Sequence, residues 1–242
     1  MTREIKAHMS VGEIAKTYPE LIPDLERLHI DYCCNGSRSL KDSIDLVGQD
    51  LQYVIELLTE HSPTQTDAEN QTDYAEMSMT QLADHIEETH HNSAREILDR
   101  LGVLIGKCVA AHGDDEPRLT ELQNVYTNLA EDMHDHFIRE ERVLFPWLRR
   151  LDQKSDITSA PPWSVRRPID CMIHDHDDIG EIFSRIHVLT DDLTPPNDAC
   201  STWKECYRLL GEFEQDTHIH IHKENNILFP AGVLAEASDP RC

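Results

Sequence analysis

Two stretches of this chain read almost alike. HFIREERVLFP (His136 to Pro146) and HIHKENNILFP (His220 to Pro230) each run His-x3-Glu, two polar residues, an aliphatic residue and Leu-Phe-Pro. Each also has a histidine upstream at nearly constant distance: His91 stands 45 positions before His136, and His176 stands 44 before His220. Agreement at so many marks predicts two copies of one unit, a helix bearing one histidine, a turn, and a helix bearing His-x3-Glu. Two such hairpins packed face to face make a four-helix bundle with four histidines and two glutamates in its interior.

The hydrophobic periodicity supports an all-α chain. From Met79 onward, four long amphipathic segments cover about 80–111, 118–151, 168–193 and 199–228, with apolar residues recurring every three or four positions. Short connections between them favour up-down-up-down topology. Pro146 is expected to bend or interrupt the second segment near its end. Ahead of the bundle, residues 1–60 form a small helical unit, with VGEIAKTYPELIPDLERL and a second stretch from Leu40 towards Leu58 flanking the turn-rich HIDYCCNGSRS. Residues 61–77, mostly polar and without periodicity, are expected to link it to a bundle spanning 78–242.

Composition excludes several classes of partner. A formal net charge of −24 repels phosphate and argues against nucleic acid and against an anionic membrane surface. No stretch approaches the roughly 18 apolar residues of a membrane span. The N-terminal residues contain no apolar secretory core, so the expectation is a cytoplasmic protein. Its seven cysteines then read as reduced thiols. Cys108, Cys171, Cys200 and Cys206 fall on expected helices and read as small core fillers.

The His-x3-Glu spacing has a physical reason. Positions i and i+4 lie on one helix face about 5–6 Å apart at Cβ, so one metal, or two adjacent ones, can take both side chains. A bare carboxylate buried in a bundle costs several kcal/mol, and two among imidazoles call for a cation. Mixed nitrogen and oxygen donors without thiolate suit iron or manganese better than structural zinc, although imidazole also binds zinc and copper. Two glutamates shared across the repeat axis favour a carboxylate-bridged metal pair.

Not every histidine can join. His134 and His136 are about 200° apart around a helix, as are His174 and His176, and His218 or His222 and His220. The repeat register selects His136, His176 and His220, and leaves His91 and His90 as alternatives. His112 lies 21 positions beyond His91, about 31 Å along a continuous helix, and is left out. Asp132, Asp135 and Asp175 lie close in sequence to ligand histidines and could orient imidazoles. Met133, Phe137, Phe145 and Phe229 read as packing around the site.

With these blocks in view, the sequence resembles the Repair of Iron Centers family, hemerythrin-like di-iron proteins. DYCCNG is similar to the paired-cysteine signature of that family's small N-terminal domain. THHNSARE, HFIREERVLFP, HDHDDIGE, TPPNDACSTWK and HIHKENNILFP resemble successive blocks of its bundle. The resemblance implies a ligand set of His91, His136, Glu140, His176, His220 and Glu224, which resolves His91 over His90 and makes Glu140 and Glu224 the bridging carboxylates. It implies two iron ions, with an oxo or hydroxo bridge between them. It further implies repair of iron–sulfur clusters damaged by nitrosative or oxidative stress, with iron as the donated cargo and damaged iron–sulfur proteins as partners. A homodimer is compatible with it.

Cys33 and Cys34 carry the remaining chemistry. Adjacent Cα atoms sit about 3.8 Å apart, too close for a relaxed disulfide. The pair therefore reads as two thiols ready to meet a partner, a metal or a nitrosyl group. Two rival functions use the same residues: an enzyme reducing nitric oxide or dioxygen with electrons from Cys33 and Cys34, and a reversible carrier of O2 or NO.

Overall fold

A computed structural model describes residues 4–60, 74–153 and 164–238. The interval 61–73 of the expected linker, and residues 154–163, lie outside the described residues. All regular elements among the described residues are helical, and the one β-bridge joins Ser10 to Ser39. Those two serines are both helix caps. Ser10 accepts the Glu13 N–H at the start of α1 (Val11–Thr17), and Ser39 accepts the Asp42 N–H at the start of α3 (Leu40–Val47). Between them, α2 (Ile22–Arg27) follows a 3-10 turn at Pro19–Leu21. The second helical stretch is two helices, because Gly48 adopts φ +69° and ends α3 before α4 (Leu51–Glu60) begins.

The bundle consists of four rods. The first opens on a capping box between Ser78 and Gln81, and runs as α5 (Met79–Ile86), a π turn (Glu87–His91) and α6 (Asn92–His112). The second is α7 (Arg118–Arg139), a π turn (Glu140–Leu144) and α8 (Phe145–Asp152). The third is the uninterrupted α9 (Arg166–Thr190), closed by Asp191 in the left-handed region. The fourth is α10 (Ser201–Lys223), a π turn (Glu224–Leu228) and α11 (Phe229–Ala237). Helix α6 packs on α7 and α10, and α7 packs on α9.

The rods continue past the prolines, but the α-helix is interrupted by a π turn just before Pro146, near the end of the second rod. In the second rod the Phe145 N–H reaches back five residues to the Glu140 carbonyl, and in the fourth the Phe229 N–H reaches the Glu224 carbonyl. Each π turn shifts the hydrogen-bond register immediately before the proline, which then occupies the first turn of the next α-helix, where its missing N–H costs little.

Three apolar clusters divide the interior. One fills the end of the bundle around Leu101, Leu129, Phe183 and Phe213. Another lies at the opposite end around Phe145, Leu148, Met172 and Phe229. The third joins α1 to α4 and takes in Ile221 from α10, so the N-terminal helices share a core with the fourth rod. Asn226 completes that seat. Its amide donates to the carbonyls of Tyr32 and Cys33, and fits a gap between Gly12 and Gly36 that a β-carbon at either would fill. No helix among the described residues is long and apolar enough to cross a membrane.

Candidate metal centre

Between the two bundle clusters, the structure brings His91, His136, Glu140, His176, His220 and Glu224 together, all of them buried. Their donor atoms form two overlapping groups, His91–Glu140–His220–Glu224 and His136–Glu140–His176–Glu224, each with all atoms within 4.8 Å of one another. Glu140 and Glu224 belong to both. Each group takes one histidine from each half of the repeat, so the internal two-fold that exchanges His91 with His176 also exchanges His136 with His220.

The Nε2 atoms face inward. His91 and His220 approach through Nε2 at 3.2 Å, and His136 and His176 do so at 3.3 Å. Glu140 Oε2 lies 3.2 Å from His136 Nε2 and 3.3 Å from His91 Nε2, while Glu224 Oε2 lies 3.1 Å from His176 Nε2. Those distances are short, yet both Glu140 oxygens and Glu224 Oε2 make no well-directed hydrogen bond. Buried carboxylate oxygens without a donor are costly, and a cation in the middle of the imidazole ring of donors would satisfy them. The residues present therefore fit a pair of metal ions with bridging glutamates.

The Nδ1 atoms of His91, His136 and His176 face acceptors, the arrangement that fixes a metal-bound imidazole. His91 Nδ1 donates to Glu141 at 2.9 Å, and Arg95 holds the same carboxylate at 2.6 Å. His176 Nδ1 donates to Asn225 Oδ1 at 3.0 Å. Glu141 and Asn225 occupy equivalent positions in the repeat, immediately after the two shared glutamates. His136 Nδ1 points at Asp175, 3.5 Å away, which Arg139 also holds. Asp132 and Asp135 are exposed on α7. Phe137 and Phe145 stack on His91, and Phe229 stacks on His176.

Electrostatics follow from this crowding. Burial alone would lower the His136 pKa, but Glu140, Asp175 and Glu224 outweigh it and push it up to about 10. Burial raises both glutamates, and Glu224 raises Glu140 further, yet the surrounding imidazoles hold both below the usual carboxylate value. His220 is driven well down, first by burial and then by His91. The pocket thus demands positive charge from protons or from metal.

The remaining histidines have other partners. His90 is buried and stacks on His220 with ring centroids 5.6 Å apart, its Nδ1 donating to Asp216 at 2.8 Å. Lys223 reaches His90 Nε2 at 2.7 Å and His85 Nε2 at 3.0 Å, and lies 3.9 Å above the Tyr74 ring. Burial lowers the Lys223 pKa to about 8. His112 sits at the far end of α6, with Nε2 3.4 Å from Cys200 Sγ. Cys108 and Cys206 are buried, but Cys171 and Cys200 are exposed, Cys200 as the N-cap of α10. Helix membership alone does not say which face a residue occupies, and those two are not core fillers.

Reading the sequence missed Glu141, Asn225 and Lys223. The repeat held the signal for the first two, since both directly follow a shared glutamate. Lys223 gave none, because its partners His85 and His90 lie more than 130 residues away.

Comparison with known proteins matches this architecture. The hemerythrin HHE cation-binding domain family matches residues 82–232. The chain is similar to the iron–sulfur cluster repair protein YtfE of Musicola paradisiaca, 31% identical over 94% of this chain and 97% of that protein. It is also similar to the YtfE protein of an Enterobacter species, at 30% identity over 93% and 97%. The iron–sulfur cluster repair protein ScdA of Staphylococcus epidermidis is 27% identical over 90% of this chain and 95% of its own length. The match over the bundle and the similarity along nearly the whole chain show that it belongs to the hemerythrin-like Repair of Iron Centers family.

Proposed function

We propose that this chain is a cytoplasmic di-iron protein that repairs damaged iron–sulfur clusters by donating iron. The observation that carries the reading is the pair of overlapping His/Glu groups sharing Glu140 and Glu224. His91 and His220 would hold one iron and His136 and His176 the other, with Glu140 and Glu224 within reach of both. Hard carboxylate and neutral imidazole donors hold iron(II) less tenaciously than thiolates, because they lack the softer, more covalent metal–sulfur bond. Iron so bound is cargo that can be released. The Nδ1 partners Glu141, Asn225 and Asp175 keep the imidazoles aimed while metal is absent, and the flanking phenylalanines shield the pair from bulk water. The names of the relatives supply the client class, iron–sulfur proteins.

Mössbauer spectroscopy with iron analysis tests the centre, and a cluster-depleted dehydratase tests the donation. Two irons per chain are expected, falling to one or none in Glu140→Leu, with reactivation of the dehydratase when no other iron is supplied. A single iron or zinc per chain, unchanged by that substitution, would sink the centre. Full iron loading with no reactivation would sink the donor role.

One contact favours a second reading. The half-buried Cys34 places Sγ 3.8 Å from the His176 carbonyl, close enough for Cys33 and Cys34 to act as the catalytic electron source of a nitric-oxide- or dioxygen-reducing centre. Steady turnover with a thiol reductant, abolished in Cys33→Ala, distinguishes that enzyme from the donor.

A further inference from the structure

Asp31, Cys33 and Cys34 form a second cluster of metal-ligating atoms outside the paired centre, again with one donor atom from each residue within 4.8 Å of the others. The two sulfurs are 3.8 Å apart, and Cys33 Sγ is 3.5 Å from Asp31 Oδ1. Both spacings match those of a chelate. Two thiolates about 2.3 Å from one tetrahedral ion stand about 3.8 Å apart, and a thiolate and a carboxylate oxygen on that ion stand about 3.5 Å apart. Adjacent cysteines that cannot form a relaxed disulfide are thus already at chelating separation.

The turn is built to hold this arrangement. Asp31 Oδ1 accepts the Cys34 N–H at 2.9 Å and the Asn35 N–H at 3.2 Å, while Oδ2 accepts the Asn35 amide at 2.7 Å. The Cys33 carbonyl is held from the bundle by the amides of Asn225 and Asn226. Cys33 is buried, and Cys34 is half-buried at the wall of a cleft of about 910 Å³. Glu26, Asp177, Glu181, Asp192 and Glu214 line that cleft with His29, His187 and His218; His187 and His218 pair with Glu214 and Glu26, and the remaining surplus of carboxylates draws cations toward the thiols. Asn225 bonds both the Cys33 carbonyl and His176 Nδ1, which sets the cluster one residue away from the paired centre.

We propose that Asp31, Cys33 and Cys34 form a third metal site, which takes one borderline divalent cation of the iron(II) or zinc(II) class through two thiolates and one carboxylate. Binding releases the two thiol protons and leaves a coordination position facing the cleft, open to a further donor. Resting on the iron-donor reading, the site is where cargo iron meets its first thiolates between the buried pair and a client.

The test titrates cobalt(II) into the reduced, metal-free full-length protein. Three equivalents are expected, one of them alone producing a thiolate-to-cobalt charge-transfer band, since the His/Glu pair contains no sulfur. Cys33→Ser/Cys34→Ser should lose that equivalent and its band while keeping the other two. Asp31→Asn, which preserves an acceptor for the turn, should weaken the thiolate-bound equivalent about tenfold or more. A wild type that binds two equivalents without the band, or a band that survives the double serine variant, would overturn the third site. Loss of the two sulfur-free equivalents with the band intact would instead count against the paired centre.

Discussion

At the scale of single residues, the site depends on side chains that touch no metal. Glu141 and Asn225 fix the tautomer and ring direction of His91 and His176 from equivalent places in the repeat. Asn225→Ala should leave helix content unchanged and lower iron affinity by about 10–100-fold, measured by competition with a chelator. An unaltered affinity would mean that packing against Phe229 alone holds the ring. Asn226, one residue further on, locks the N-terminal helices to the same π turn. Gly36→Ala should force its amide out of the gap and break its bonds to Tyr32 and Cys33. We expect a loss of about 1–3 kcal/mol in denaturant unfolding, and a stability equal to wild type would show that Asn226 repacks at no cost.

At the scale of elements, the three π turns are common to the three rods that contribute ligands beside a register shift. Glu140 and Glu224 each open one and His91 closes one. A π turn adds a residue to the helical circuit, so Glu140, Leu144 and Phe145 are all buried along one rod. The rods are also joined by ion pairs away from the centre. His187 of α9 lies 2.8 Å from Glu214 of α10, and the Glu214 hydrogen bond raises the His187 pKa despite partial burial. A raised histidine contributes stability that is fully present below the ordinary value of about pH 6.5, and that is lost as pH climbs through the raised value. The melting-temperature gap between wild type and Glu214→Gln should therefore be widest at mildly acidic pH and shrink above neutrality. A gap independent of pH would show that His187 is not charged in the folded protein.

At the scale of the whole molecule, stability and metal content are coupled. Two buried carboxylates repel one another and are compensated by imidazolium protons when metal is absent, so metal must displace those protons as it binds. Metal bound only by the folded chain adds about 4 kcal/mol when present at a thousand times its dissociation constant. Stripping the metal should lower the melting temperature by several degrees, and the loss should shrink as pH falls and protons compete with metal for His91 and His136. Calorimetry of loaded and stripped protein across pH reads both effects. Equal melting temperatures would mean that the pocket is equally content with protons.

The doubled His-x3-Glu, its upstream histidines and the four amphipathic stretches were legible in the chain, because helix periodicity and i,i+4 spacing are local properties. They were enough for the all-α class, the bundle and five of the six residues that the structure gathers. His91 over His90 was not decided by spacing. In the structure it follows from the π turn ending at His91, which aims one ring at the centre and the other at Asp216 and Lys223. The pass through Pro146 and Pro230, the seat of Asn226 between Gly12 and Gly36, and the approach of Cys34 to His176 likewise belong to tertiary structure. Each depends on hydrogen-bond register or on contact between residues far apart in the chain. Periodicity tells which way a side chain faces along its own helix; only the packed fold determines what it meets there.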